Sequence, residues 1–143
     1  MSEKKFNIVE QSYNHDINYR DNPMLYEYSE DCRGMYICQP YKEELLSVWK
    51  FLSIDAAKIS AESIYNIFLS YLKDRDFVGS DVARKYLQAG STKTSIPLAC
   101  RAHFDFFYKE AARNEAYILL MQSFKFKQQK YKDLLEKEKN ESW

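Results

Sequence analysis

The stretch from Asp76 to Lys93, DFVGSDVARKYLQAGSTK, reads as one short amphipathic helix with a start signal and a stop signal, and the rest of the chain has to pack around it. Asp76 is suited to the N-cap, because its carboxylate can accept from the free backbone N–H groups of the first turn. Gly90 is suited to the position just past the end, where a left-handed backbone costs a glycine nothing. Val78, Val82, Ala83, Tyr86 and Leu87 fall on one face at helical spacing, and Asp81, Arg84, Lys85 and Gln88 fall on the other.

The segments on either side follow the same logic. Ser53 caps a helix expected from about Ile54 to Lys73, whose inner stripe is Ala56, Ser60, Ile64, Ile67, Phe68 and Tyr71. A shorter helix is expected from Tyr41 to Phe51, with Leu45, Leu46, Val48, Trp49 and Leu52 inward and Glu43 and Glu44 near its start, where the helix dipole favours them. From Leu98 to about Leu135 there is neither Gly nor Pro, which gives two helices or one bent near Arg113-Asn114. Phe104, Phe107, Tyr108, Ala111 and Ala112 form the first stripe there, and Ala116, Leu119, Leu120 and Phe124 the second. Ahead of Pro40, Met24–Tyr28 and Met35–Cys38 flank a turn-rich Ser29–Gly34 and read as a β-hairpin. The expected fold is therefore α+β and helix-dominated, a small antiparallel β-hairpin packed on four to five helices. Residues 1–20 are expected to be a polar arm with a short strand at Phe6–Val9, residues 21–135 one globular domain, and residues 136–143 a frayed charged tail.

Composition sets limits on function. With three Gly and three Pro in 143 residues, glycine-rich phosphate-cradling loops are excluded. The 21 basic and 21 acidic residues cancel, so bulk nucleic-acid binding is excluded, while a local basic face is not. No apolar run approaches the roughly 20 residues that span a bilayer, no apolar signal region follows the N-terminus, and the chain reads as cytoplasmic. Cys32, Cys38 and Cys100 are expected to be reduced thiols. Cys100 and His103 could face one another on a helix, but two ligands do not make a zinc site, so neither a metal nor a cofactor is expected. Twelve Tyr among 16% aromatic residues suggest a semi-polar surface or an interface.

Between about Arg20 and Lys93 a set of residues carries a family resemblance: Pro23, Tyr26, Gly34, Pro40-Tyr41-Lys42, Glu44, Leu46, Trp49, Phe51, Ser60, Ser63, Ile64, Phe68 and Tyr71. The match is closest over Asp76-Phe77-Val78-Gly79, Asp81, Ala83-Arg84-Lys85, Leu87-Gln88, Gly90 and Thr92. Here the chain resembles the uncharacterised domain-of-unknown-function family 4385, which occurs in bacteria and large tailed bacteriophages. The resemblance implies a compact domain and a phage or prophage origin, and it carries no activity. Family members continue past the Thr with a basic segment containing Arg, Tyr, Asn and His. This chain reads Lys93-Thr94-Ser95-Ile96-Pro97 instead, so a nucleic-acid role resting on that segment is not carried over.

Asp81 and Lys85 stand i, i+4 with the acid first, which in its plainest form is a solvated surface pair. The functional alternative uses Arg84, Lys85 and Gln88 as a donor face for phosphate or carboxylate, with Asp81, Thr92 and Lys93 beside it and Lys42 on the preceding helix. Enzymatic readings fare worse. A nucleophile needs a base within reach, whereas His15 falls in the expected N-terminal arm and His103 in a helix rich in Phe, and nothing in the spacing of Asp76, Asp81 and Glu44 singles out a catalytic pair. The expectation is a non-catalytic interaction protein, a phage-type accessory or inhibitor of a host defence system, acting through the Arg/Lys/Gln face and a Tyr-rich surface on a protein or protein–nucleic-acid complex. A small enzyme acting on a nucleotide or nucleic acid, using Asp81 or Glu44 with Arg84, and a sponge for a small anionic nucleotide are the alternatives.

Overall fold

The computed structural model describes residues 15–141. A single 3-10 turn, Pro23–Leu25, precedes five helices: α1 Tyr41–Leu46, α2 Ile54–Lys73, α3 Phe77–Thr92, α4 Leu98–Ala112 and α5 Glu115–Glu141. Ser53 caps α2, its Oγ accepting from the Ala56 N–H at 3.0 Å. Asp76 caps α3, its Oδ1 accepting from the Gly79 N–H at 2.9 Å. Asn114 lies at the break between α4 and α5, and its Oδ1 accepts from the Tyr117 N–H at 3.0 Å. α3 is the centre of the domain: α2 and α4 pack along it, and α1 and α5 close the remaining sides. From Phe77 to Gly90 every residue of α3 except Gln88 is buried, polar ones included.

The β-hairpin is not there. No strand exists among the described residues, so the fold is all-α rather than α+β. Residues 26–29 have no regular structure and residues 30–40 bend and turn, with Met35 N–H donating to Cys32 C=O, and Ile37 and Cys38 N–H both donating to Gly34 C=O. Met35 and Cys38 are the buried members of their stretch, with Tyr36 exposed between them, which is one helical-type turn and not a period of two. Carbonyls of the expected strands are bonded by helix side chains instead, Met35 C=O by the Tyr86 hydroxyl at 2.7 Å and Met24 and Tyr26 C=O by Gln128 Nε2 at 3.0 and 2.5 Å.

Gly90 does not end α3. The helix runs on to Thr92, and a Cβ at Gly90 would stand 2.3 Å from Cγ of Phe104, so the glycine is there for close approach of the α4 ring. α1 stops at Leu46, short of the expected Phe51. The buried Ser60 hydroxyl donates to Val48 C=O at 2.7 Å and accepts from Lys50 N–H at 2.9 Å, drawing that segment out of helical pairing. On α5 the inner face is Tyr117, Phe124 and Gln128, while Ala116 and Leu119 face outwards, a rotation from the expected stripe.

The charged stretch expected as a tail continues α5 as far as Glu141 and is exposed from residue 132 onwards. Of the expected arm, residues 1–14 and the strand at Phe6–Val9 lie outside the described residues. Tyr19 is fully buried, with its N–H on Gln39 C=O at 2.9 Å. Among the described residues no helix is long and apolar enough to cross a membrane.

Candidate functional site

The polar face of α3 has the chemistry expected of it, but it points inwards. Asp81 and Lys85 are fully buried and Arg84 is 3% exposed. Asp81 pairs with Arg84 at 2.6 Å, i, i+3, rather than with Lys85, and its carboxylate also accepts from the Tyr26 hydroxyl and, at 2.5 Å, from the Tyr117 hydroxyl. Burial opposes the charge on Arg84, but the Asp81 carboxylate overrides it, so the guanidinium pKa lies above its usual value. The remaining Arg84 donors reach Ser29 C=O at 2.7 Å, Asp31 C=O at 3.0 Å, Glu30 C=O at 3.2 Å and Gln88 Oε1 at 2.7 Å. Gln88 Nε2 also donates to Glu30 C=O, and Lys85 Nζ to Arg33 C=O at 2.6 Å. Burial pushes the Lys85 ammonium down to about 8, against the pull of Asp81. The donor face therefore already has an occupant, the backbone of the chain's own segment 29–33.

Lys42 on α1 and Lys93 beyond α3 share no hydrogen bond or ion pair with this network among the described residues. Thr92 is exposed and its hydroxyl bonds back to Gln88 C=O at 3.0 Å. The tyrosines are mainly core pieces. Tyr26, Tyr41, Tyr71, Tyr86 and Tyr117 are all buried, each with its hydroxyl on an acceptor, which leaves Tyr36 as the exposed ring of this group. Trp49 is buried edge-on to Phe51 and Tyr86, so it offers no stacking platform. No cluster of three His, Cys, Asp or Glu side chains that could hold a metal occurs among the described residues.

A second cluster, not singled out from the sequence, lies at the α2–α3 corner. Arg20 holds Glu44 through both guanidinium nitrogens at 2.7 and 2.9 Å, approaches Asp76 at 3.6 Å, and lies 4.8 Å above the Tyr41 ring. Tyr41 donates its hydroxyl to Asp76 at 2.7–2.8 Å, and Tyr71 donates to Glu44 at 2.6 Å. The Arg20 fork holds the Glu44 carboxyl below its usual range, while burial first and then the adjacent carboxylates push the Tyr41 and Tyr71 hydroxyls up. Both carboxylates thus already accept from neighbouring side chains.

Beside this cluster opens a groove of about 520 Å³. It is lined by Arg20, Tyr71 and Asp76 of the ionic cluster, and by Pro23 and Met24 of the 3-10 turn. Ser70, Asp74 and Arg75 come from the corner, Phe77 and Val78 from the first turn of α3, and Leu120, Ser123, Phe124 and Lys127 from α5. Arg75, Lys127 and Asp74 make no ion pair among the described residues.

The corner itself is a Schellman turn: Asp76 N–H donates to Tyr71 C=O at 2.8 Å and Arg75 N–H to Leu72 C=O at 2.9 Å. Its left-handed position, φ 57°, is held by Arg75, the one non-glycine with positive φ among the described residues. The signal was present in the sequence, since a three-residue connector between two helices, Asp74-Arg75-Asp76, contains no glycine for the turn it has to make.

A family model described as "Domain of unknown function (DUF4385)" matches residues 9–96, more than half of the chain. The chain belongs to this family. The DUF4385 match takes in the 3-10 turn, α1, α2, α3 and the corner between the last two, and it ends before α4. So the family segment supplies one side of the groove, and α5, outside the match, supplies the other. No curated protein and no solved structure matches the chain.

Proposed function

We propose that this protein is a non-catalytic binding protein and that it holds a small anionic ligand in the groove at the α2–α3 corner. The observation that carries this reading is Arg75. An L-residue in the left-handed region costs about 1–2 kcal/mol, which glycine avoids. A side chain kept at that cost, with its guanidinium unpaired at the groove, is what a functional position looks like. Lys127 supplies a second unpaired cation from α5. The committed state of Glu44 and Asp76 favours holding a ligand over transforming it.

An accessory or inhibitory role in a phage–host setting takes the form, on this reading, of withholding an anionic ligand from a host system. The buried α3 face is not available for that task, whereas the groove is. Three free cysteines suit a reducing, cytoplasmic compartment.

Arg75→Gly tests the reading by thermal shift against inorganic phosphate, pyrophosphate, citrate and AMP. We expect the unliganded variant to gain about 0.5–1 kcal/mol, a few degrees in Tm, from relief of the left-handed backbone. Stabilisation of wild type by at least one of these anions should be lost in the variant. A variant that is no more stable than wild type, and that keeps the anion response, would remove the basis for the proposal.

A further inference from the structure

We infer that the groove takes a nucleotide, a phosphate-bearing nucleoside; this rests on the groove being the ligand site. Three chemistries meet there. Arg75 and Lys127 approach from different elements, a planar fork and a point charge, and Ser123 adds a hydroxyl between the α5 positions. Donors from two sides suit a phosphate, which offers oxygens in three directions, better than a carboxylate, which one guanidinium satisfies in a single plane.

Asp74 is the second component. It is an exposed acceptor with no ion-pair partner among the described residues, and beside two cations it penalises a bare polyanion. It suits a ligand that brings hydroxyl donors next to its phosphate, as ribose does. The third component is an apolar wall of Met24 and Leu120, both half-buried, against which a base can lie, with the adaptable methionine able to follow different rings. The volume of about 520 Å³ falls inside the span of small-ligand sites, about 300–1,000 Å³. The same chemistry serves a free nucleotide or the terminal nucleotide of a strand.

Isothermal titration calorimetry on the full chain tests this with AMP, CMP, adenosine, 2′,3′-dideoxy-AMP, citrate and a 5′-phosphorylated hexanucleotide. We expect AMP or CMP to bind, adenosine to bind at least tenfold more weakly, and binding to fall as salt rises. Arg75→Gly and Lys127→Glu should each weaken the nucleotide at least tenfold. Asp74→Asn should lower the preference for AMP over dideoxy-AMP severalfold, since it removes the ribose acceptor for the first and only the charge opposing the phosphate for the second. A hexanucleotide tighter than AMP assigns the ligand to a strand end, and one no tighter assigns it to the free nucleotide; both support the inference. If citrate binds as tightly as AMP and depends on Arg75, the nucleotide is wrong while the groove stands. If nothing in the set binds with dependence on Arg75, the groove and the nucleotide fall together.

Discussion

Arg84→Met separates a solvated helix face from a buried clamp, because the two differ in magnitude. An exposed ion pair contributes about 0–1 kcal/mol. Arg84 is 3% exposed, and its partner Asp81 is fully buried. Methionine keeps most of the stem packing but leaves the Asp81 carboxylate with two tyrosine hydroxyls and no adjoining cation at 2.6 Å. Stranding one member of such a pair costs about 3–5 kcal/mol. The carbonyls of Ser29, Glu30 and Asp31 also lose donors, but these residues reach solvent, so water replaces much of that bonding and adds little to the loss. The expected loss is therefore about 3–5 kcal/mol, roughly 10–20 °C in Tm for a domain of this length.

Urea unfolding gives the loss directly, and a cycle with Asp81→Asn isolates the pair. Removing the charge in the Arg84→Met background should recover about 1–3 kcal/mol, since the stranded carboxylate is what costs most. Amide exchange should show segment 29–35 opening before the rest of the domain. A loss under about 1 kcal/mol with no coupling would mean that the face is solvated and that the inward clamp is wrong.

Gly90→Ala should lose about 1–3 kcal/mol, because the new Cβ falls 2.3 Å from the Phe104 ring; Phe104→Leu in the same chain should recover part of the loss in a thermal melt. Lys85 gives a pH signature: its folded pKa lies near 8 against 10.5 for the free side chain, so between those values the unfolded chain binds more protons and stability rises with pH. Cys38, raised to about 12 by burial, and the buried tyrosines act in the opposite sense in the alkaline range, since the folded state keeps protons that the unfolded chain sheds. The measurement is therefore the difference between wild type and Lys85→Met in urea unfolding, which should climb between about pH 8 and 10.5 and be flat below; a flat curve throughout would place Lys85 in water.

What the sequence by itself determined is local. Asp76 and Ser53 cap helices because a short acceptor side chain next to a helical pattern has few better uses, and those caps set the starts of α3 and α2. The break near Arg113-Asn114 and the helical character of the long C-terminal segment follow from local propensity in the same way. What the tertiary structure decided is where each polar group goes. The spacing of Asp81, Arg84, Lys85 and Gln88 makes a donor face whether or not solvent reaches it, and only the packing of segment 29–33 onto α3 turned it inwards.

The hairpin is absent for a similar reason, because carbonyls of its expected strands are taken by helix side chains, Met35 C=O by the Tyr86 hydroxyl of α3 and Met24 and Tyr26 C=O by Gln128 Nε2 of α5. Gly90 shows the ambiguity from the other side. A glycine near a helix end is read as a stop, yet a ring arriving from α4 requires the same residue inside the last helical turn. The groove depends on Arg20, Arg75 and Lys127, which are far apart in the chain and become neighbours only when α5 folds back across the α2–α3 corner. No local pattern encodes that meeting, apart from the missing glycine at Arg75.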